Sequence, residues 1–243
     1  MQYAARDMGW EPLADHLIHN IIGLGLPEAI LHLYPQVSDV ERARLRDFYA
    51  ANFIRLDEEK SSDFFPLVPE TLEALRSQGH ILTIATGKSR KGLDRILGDL
   101  DMTDYFDATR CADETASKPQ PLMLEELLAH FNVNAAGAVM ICDTEYDMAM
   151  ARRINMPRIA VSYGAHHIDR LHQYMPELCL DQFDQLLGWH RINELSVAWL
   201  VTARCYLSRF ARSRGSTPSA FNISTNRISG RPINVFGSSP LSL

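Results

Sequence analysis

The sequence predicts an α/β protein: a doubly wound parallel sheet preceded by an N-terminal helical block. Two observations carry this. Residues 1–63 hold apolar side chains at spacings of three and four with no strand-like run, and residues 64–190 alternate amphipathic helices with short strands apolar on both faces. A third observation, a change in charge after residue 190, marks off a C-terminal tail.

In the first block, LADHLIHNII, PEAILHLY and VERARLRDFYAANFIRL read as helices separated by Gly23, Gly25, Pro27 and Pro35. Pro27 followed by Glu28 is the chemistry of a helix start, because proline needs no N–H there and an acid favours the positive end of the dipole. After Pro66, PETLEALRSQG is an amphipathic helix ended by Gly79, HILTIAT a strand and SRKGLDRILGDL a helix. PLMLEELLAHFN, AAGAVMIC, TEYDMAMARRIN and PRIAVSYG then give helix, strand, helix and strand. Such alternation produces βαβ units and a sheet covered on both sides. The domains expected are a helical cap at 1–63, an α/β core at 64–190 and a basic Ser/Arg-rich tail at 191–243.

The net charge of −6 hides an asymmetry. Residues 1–190 carry 17 Lys and Arg against 29 Asp and Glu, whereas 191–243 carry seven Arg, no Lys and the single acid Glu194. The tail also has ten of the seventeen serines, and without Lys or interleaved aromatics it reads as a poorly ordered extension, not a nucleic-acid surface. No stretch reaches the roughly 18 apolar residues of a membrane span, and MQYAARDMGWEPL is not a signal peptide. Cys111, Cys142, Cys179 and Cys205 form no CxxC pair, which fits a reducing cytoplasm. The expected protein is cytoplasmic, with no membrane or nucleic-acid partner.

In doubly wound sheets ligands sit outside the carboxyl ends of the strands. The first strand ends in Thr86-Gly87, the second in Asp143-Thr144, and between them lies a Pro-bounded loop, SKPQP, with Lys118. Taken singly, Thr86 reads as a helix cap and Lys118 as a solvated lysine. Asp143 stands out, because a carboxylate directly after AVMIC needs a cation, a helix N-terminus or a donor to offset desolvation. Asp147, one turn on, shares its face and would hold Lys118 or a metal-bound water.

The set in order, LTIAT, then the lysine of SKPQP, then ICDTEYDMAMA, resembles the haloacid dehalogenase superfamily of phosphohydrolases. With RINMPRIAVSYG and the helical block ahead of the first motif, it looks most like the phosphoglycolate phosphatase-like branch, over roughly residues 1–190. The resemblance implies that Thr86 and the Gly87 amide bind phosphoryl oxygens and that Lys118 neutralises charge on nucleophile and phosphoryl group. It further implies that Asp143 ligates Mg²⁺, that Asp147 orients Lys118 or a metal water, and that the substrate is a small phosphorylated metabolite such as 2-phosphoglycolate.

The family's nucleophilic aspartate, in a DxDGT loop ending the first strand, has no counterpart in the 243 residues. Asp7 and Asp15 sit in helical context without a preceding strand. The expectation is an N-terminally shortened chain whose sheet lacks its central strand and which is silent as a phosphatase, since covalent transfer needs a nucleophile. The competing reading is a binding or regulatory module of the same fold; a receiver-type phosphoacceptor would not carry residues 1–63. INVF (residues 233–236) is a speculative filler of the vacant slot. Weaker constellations are GLGLPEA, GKS with Lys88 and Lys91, the pair His16 and His19, and His166-His167 at the third strand end. Substrate identity and oligomeric state are not legible at this level.

Overall fold

The structure, a computed structural model, describes residues 1–59, 63–192, 195 and 207–208. The helical block consists of α1 (Gln2–Asp7), α2 (Asp15–Asn20), α3 (Leu26–Leu33) and α4 (Asp39–Glu59). Ser38 and Glu41 start α4 with a reciprocal capping box: the Ser38 amide donates to Glu41 Oε2 at 2.9 Å and the Glu41 amide to Ser38 Oγ at 3.3 Å. These helices bury Ala4, Ile30 and Leu45 in a small core of their own, bordered by Trp10 packed at a tilt against Tyr34.

A short strand, β1 (Asp63–Phe64), leads into α5 (Val68–Ser77), which has proline in its first turn and ends ahead of Gly79 at φ +85°. Then follow β2 (Thr83–Thr86), α6 (Arg90–Asp99), β3 (Ala108–Cys111), α7 (Leu122–Phe131), β4 (Met140–Cys142), α8 (Glu145–Arg153), β5 (Arg158–Val161), α9 (Ile168–His172) and β6 (Leu178–Leu180). A 3₁₀ segment, Phe183–Gly188, packs back onto α5. β7 (Leu207–Ser208) pairs antiparallel with β1.

Each central strand serves two layers, as period-2 geometry requires. In β4 and the residue before it, Val139 and Ile141 join Val68, Leu72 and Leu75 of α5 in one core, while Met140 and Cys142 join Met123, Leu124 and Leu127 of α7 in the other. Every residue of β2 and β4 is buried, which explains why both read as apolar runs without alternation. The first core continues past the expected boundary at 190: Ile192 and Leu195 belong to it.

Parallel pairing is observed in two pieces, β2–β3 and β4–β5–β6. Among the described residues no strand joins β2 to β4, although Ala85 shares a core with Met140 and Cys142, and Leu82 with Ile141. β3 and β6 add to the three strands expected from sequence. Both are edge strands only partly buried, and β3 carries Thr109 and Arg110, so neither produces a continuous apolar run. Apart from residues 191, 192, 195, 207 and 208, the Ser/Arg tail, including INVF, lies outside the described residues. No helix among the described residues is long and apolar enough to cross a membrane.

Candidate active site

The carboxyl ends of β2 and β4 and the loop after β3 meet on one rim. Thr86 ends β2, and its hydroxyl accepts the Lys88 amide at 3.2 Å. Thr86 does not cap the next helix: Ser89 does, accepting the Gly92 amide at 3.2 Å. The Thr86 O–H therefore keeps its proton for an acceptor arriving from above the strand.

Asp143 follows β4 directly and is 1% exposed. Its Oδ2 accepts the Ala165 amide at 3.1 Å and its carbonyl accepts the His166 amide at 3.1 Å. Gly164 permits this approach, since a Cβ there would lie 2.1 Å from Asp143 Cβ. Thr144 caps α8 through its side chain, which accepts the Asp147 amide at 3.3 Å and donates to Asp147 Oδ2 at 2.5 Å.

The Lys118 ammonium rests on the other oxygen of Asp147, and both side chains are almost fully buried. Burial pushes the Asp147 carboxyl up to about 6, with Lys118 and the Thr144 hydroxyl opposing and the Asp143 charge adding to the rise. Two carboxylates and one ammonium leave this cluster one negative charge in excess, which favours a cation at the rim.

Asp143 is the hard oxygen donor such a cation would use, but Asp147, expected among the ligands, has both oxygens engaged by Lys118 and Thr144. Among the described residues no group of three His, Cys, Asp or Glu side chains is placed to hold a metal. One carboxylate does not by itself make a Mg²⁺ site.

Among the weaker sequence candidates, Gly25 of GLGLPEA and His166 reach the rim, donating their amides to Ser117 Oγ and to the Asp143 carbonyl. The Lys88 ammonium lies 4.9 Å above the Phe53 ring of α4, joining cap to core. His16 and His19 are exposed. His166 is buried, with Nδ1 accepting the Glu145 amide at 3.2 Å, and burial holds its pKa below the ordinary value, with Arg170 adding to the effect. His167 is exposed and caps α9. Asp7 and Asp15 bond Asn52 and Gln2 within the cap, away from any strand end.

Sequence reasoning passed over Ser117, Thr144 and Gly164. Thr144 was recoverable, since a threonine followed three residues later by an acid is a capping signal. Ser117 was not: its Oγ accepts the amide of Gly25, 92 residues away, at 2.8 Å.

The strand ends thus bring together a hydroxyl, a buried lysine–aspartate pair and a second aspartate. The haloacid dehalogenase-like hydrolase family matches residues 1–161, and the chain belongs to that family. It is 31% identical over 198 residues to a protein named probable phosphatase IndB from Dickeya dadantii (strain 3937), covering 79% of this chain and 86% of that one. A phosphoglycolate phosphatase from Vibrio vulnificus (strain YJ016) is 26% identical over 192 residues, covering 76% and 84%. A hydrolase from Pseudomonas syringae of known structure superposes with a TM-score of 0.70 at 22% identity, covering 80% of this chain and 89% of that one, and shares the fold.

Proposed function

We propose that the rim is a seat for the phosphoryl group of a small phosphorylated metabolite of the phosphoglycolate type, and that residues 1–243 by themselves bind it without turning it over. The observation that supports this best is the convergence of Thr86, the Lys118–Asp147 pair and Asp143 at adjoining strand ends. In this reading the Thr86 hydroxyl and the Gly87 amide donate to phosphoryl oxygens, and Lys118, held by Asp147, offsets their charge. Mg²⁺ would reach Asp143 only with a second carboxylate brought to the rim. The 243 residues contain no DxDGT loop that would supply one, along with the nucleophile, and β2 and β4 have no strand between them among the described residues.

The test is turnover of 2-phosphoglycolate and p-nitrophenyl phosphate by the purified chain with Mg²⁺, beside calorimetric binding of inorganic phosphate. Binding lost in Thr86→Val, with no turnover above a mock preparation, is the expected result. Substantial Mg²⁺-dependent turnover that disappears in Asp143→Ala would refute the silent-site reading.

A further inference from the structure

The donors of the phosphate seat come from two separate loops. Thr86 and Gly87 lie on the turn from β2 to α6, and Lys118 lies on the long connection from β3 to α7. The strands beneath them pair up to Thr86 opposite Cys111, and just beyond, the Ala112 amide donates to the Lys88 carbonyl at 3.2 Å. From there Arg90, the first residue of α6, joins the two loops. Its amide donates to Asp113 Oδ1 at 2.9 Å. Its Nε donates to Glu114 Oε1 at 2.8 Å and its Nη2 to Glu114 Oε2 at 2.7 Å, a two-bond fork. Nη1 donates to Thr109 Oγ1 at 2.8 Å and Asp94 Oδ1 at 3.2 Å, and Nη2 also reaches the Thr109 carbonyl at 3.4 Å, so every guanidinium N–H is engaged.

Glu114 carries that grip into the backbone of the lysine loop. Its Oε2 also accepts the Cys111 amide at 3.2 Å, while its own amide donates to the Cys111 carbonyl at 3.2 Å. The Arg90 hydrogen bond holds the Glu114 carboxyl below its ordinary pKa, so the pair stays charged. Further along, the same loop is tied down by Lys118 on Asp147. We infer that Arg90 is a positioning residue of the seat: its guanidinium, forked onto Glu114, sets the spacing between the Thr86–Gly87 turn and Lys118 so that both reach one phosphoryl group. This rests on the phosphate-seat reading above. Arg90 acts through the two loops and not on the ligand.

Geometry and charge separate in the test. A planar fork fixes an angle as well as a distance, which the point charge of a lysine does not. The Arg90 and Glu114 side chains are 33% and 38% exposed, so the pair itself adds little to stability. In the full chain, Arg90→Lys keeps the charge and loses the fork, and Glu114→Asp keeps the charge and draws the carboxylate back by one methylene. Each is expected to raise the Kd for inorganic phosphate about tenfold by calorimetry, as for one lost hydrogen bond to a charged group, with a urea midpoint close to the parent's. The double variant Arg90→Lys/Glu114→Asp is expected to bind no more weakly than either single one, since the same contact is broken in all three.

An unchanged Kd in both single variants would overturn the positioning role. So would a urea midpoint that falls in step with the affinity, which is what a purely structural pair gives, or losses that add in the double variant. In those outcomes phosphate still binds the parent chain, and the phosphate-seat reading stands. Phosphate bound by neither parent nor variants would overturn the seat itself, and the role of Arg90 with it.

Discussion

Replacing Lys118 with methionine removes the cation from a buried pair and leaves the Asp147 carboxylate with only the Thr144 hydroxyl. Breaking a buried pair from one side costs about 3–5 kcal/mol, because the remaining charge is desolvated and uncompensated. That cost depends on pH. Asp147 is pushed up to about 6 from an ordinary 3.8, so the folded chain holds a proton that the unfolded chain releases between those values. Stability from that proton is complete below the unfolded value and is lost as pH rises through 6, at no more than about 1.4 kcal/mol per pH unit.

Without Lys118 the carboxyl rises further, and the loss extends to higher pH. Urea unfolding in the presence of a chelator is expected to show Lys118→Met destabilised by about 3–5 kcal/mol at about pH 8, and by clearly less at about pH 5. The double variant Lys118→Met/Asp147→Leu, which removes both charges, should regain most of the loss. An equal loss at both pH values, a loss of only about 0–1 kcal/mol as for a surface pair, or no recovery in the double variant would refute the reasoning.

Three further outcomes follow from individual contacts. Gly164→Ala would set a methyl 2.1 Å from Asp143 Cβ and is expected to destabilise by about 1–3 kcal/mol in thermal or urea unfolding; an unchanged midpoint would contradict the packing. Burial raises the Cys142 thiol well above its ordinary pKa and the Cys111 thiol to about 12, so both should resist alkylation in the native chain and react on unfolding, as mass spectrometry of labelled peptides would read. His80 is buried with Nε2 unpartnered and its pKa lowered by desolvation. The His80 contribution to stability should therefore fall as pH drops below 6.5, where the unfolded chain takes the proton first, opposite in sign to that of Asp147, and His80→Gln should remove it.

Much of the site was legible because it is written locally. A strand end followed by a hydroxyl or a carboxylate, and a lysine ahead of a proline, can be seen in five residues each. Thr86, Lys118, Asp143 and Asp147 were found that way. Edge strands were missed because period-based reading depends on burial, and β3, with Thr109 and Arg110 partly exposed, lacks the apolar signal that β4 shows. Thr86 illustrates a different limit: a threonine before a helix reads as a cap, and only the fold shows that Ser89, three residues on, does the capping.

The sequence by itself determined the α/β class, the helical block ahead of it, and the order of hydroxyl, lysine and aspartates along the chain. These follow from side-chain periodicity and from residue chemistry at strand ends, both short-range. Only the tertiary structure decided that Asp147 is committed to Lys118, that parallel pairing divides between β2–β3 and β4–β5–β6, and that Gly25 of the cap is bonded to Ser117 beside the lysine. Each depends on groups tens of residues apart meeting in a buried space, where desolvation makes partner choice strict and sequence spacing carries no record of it.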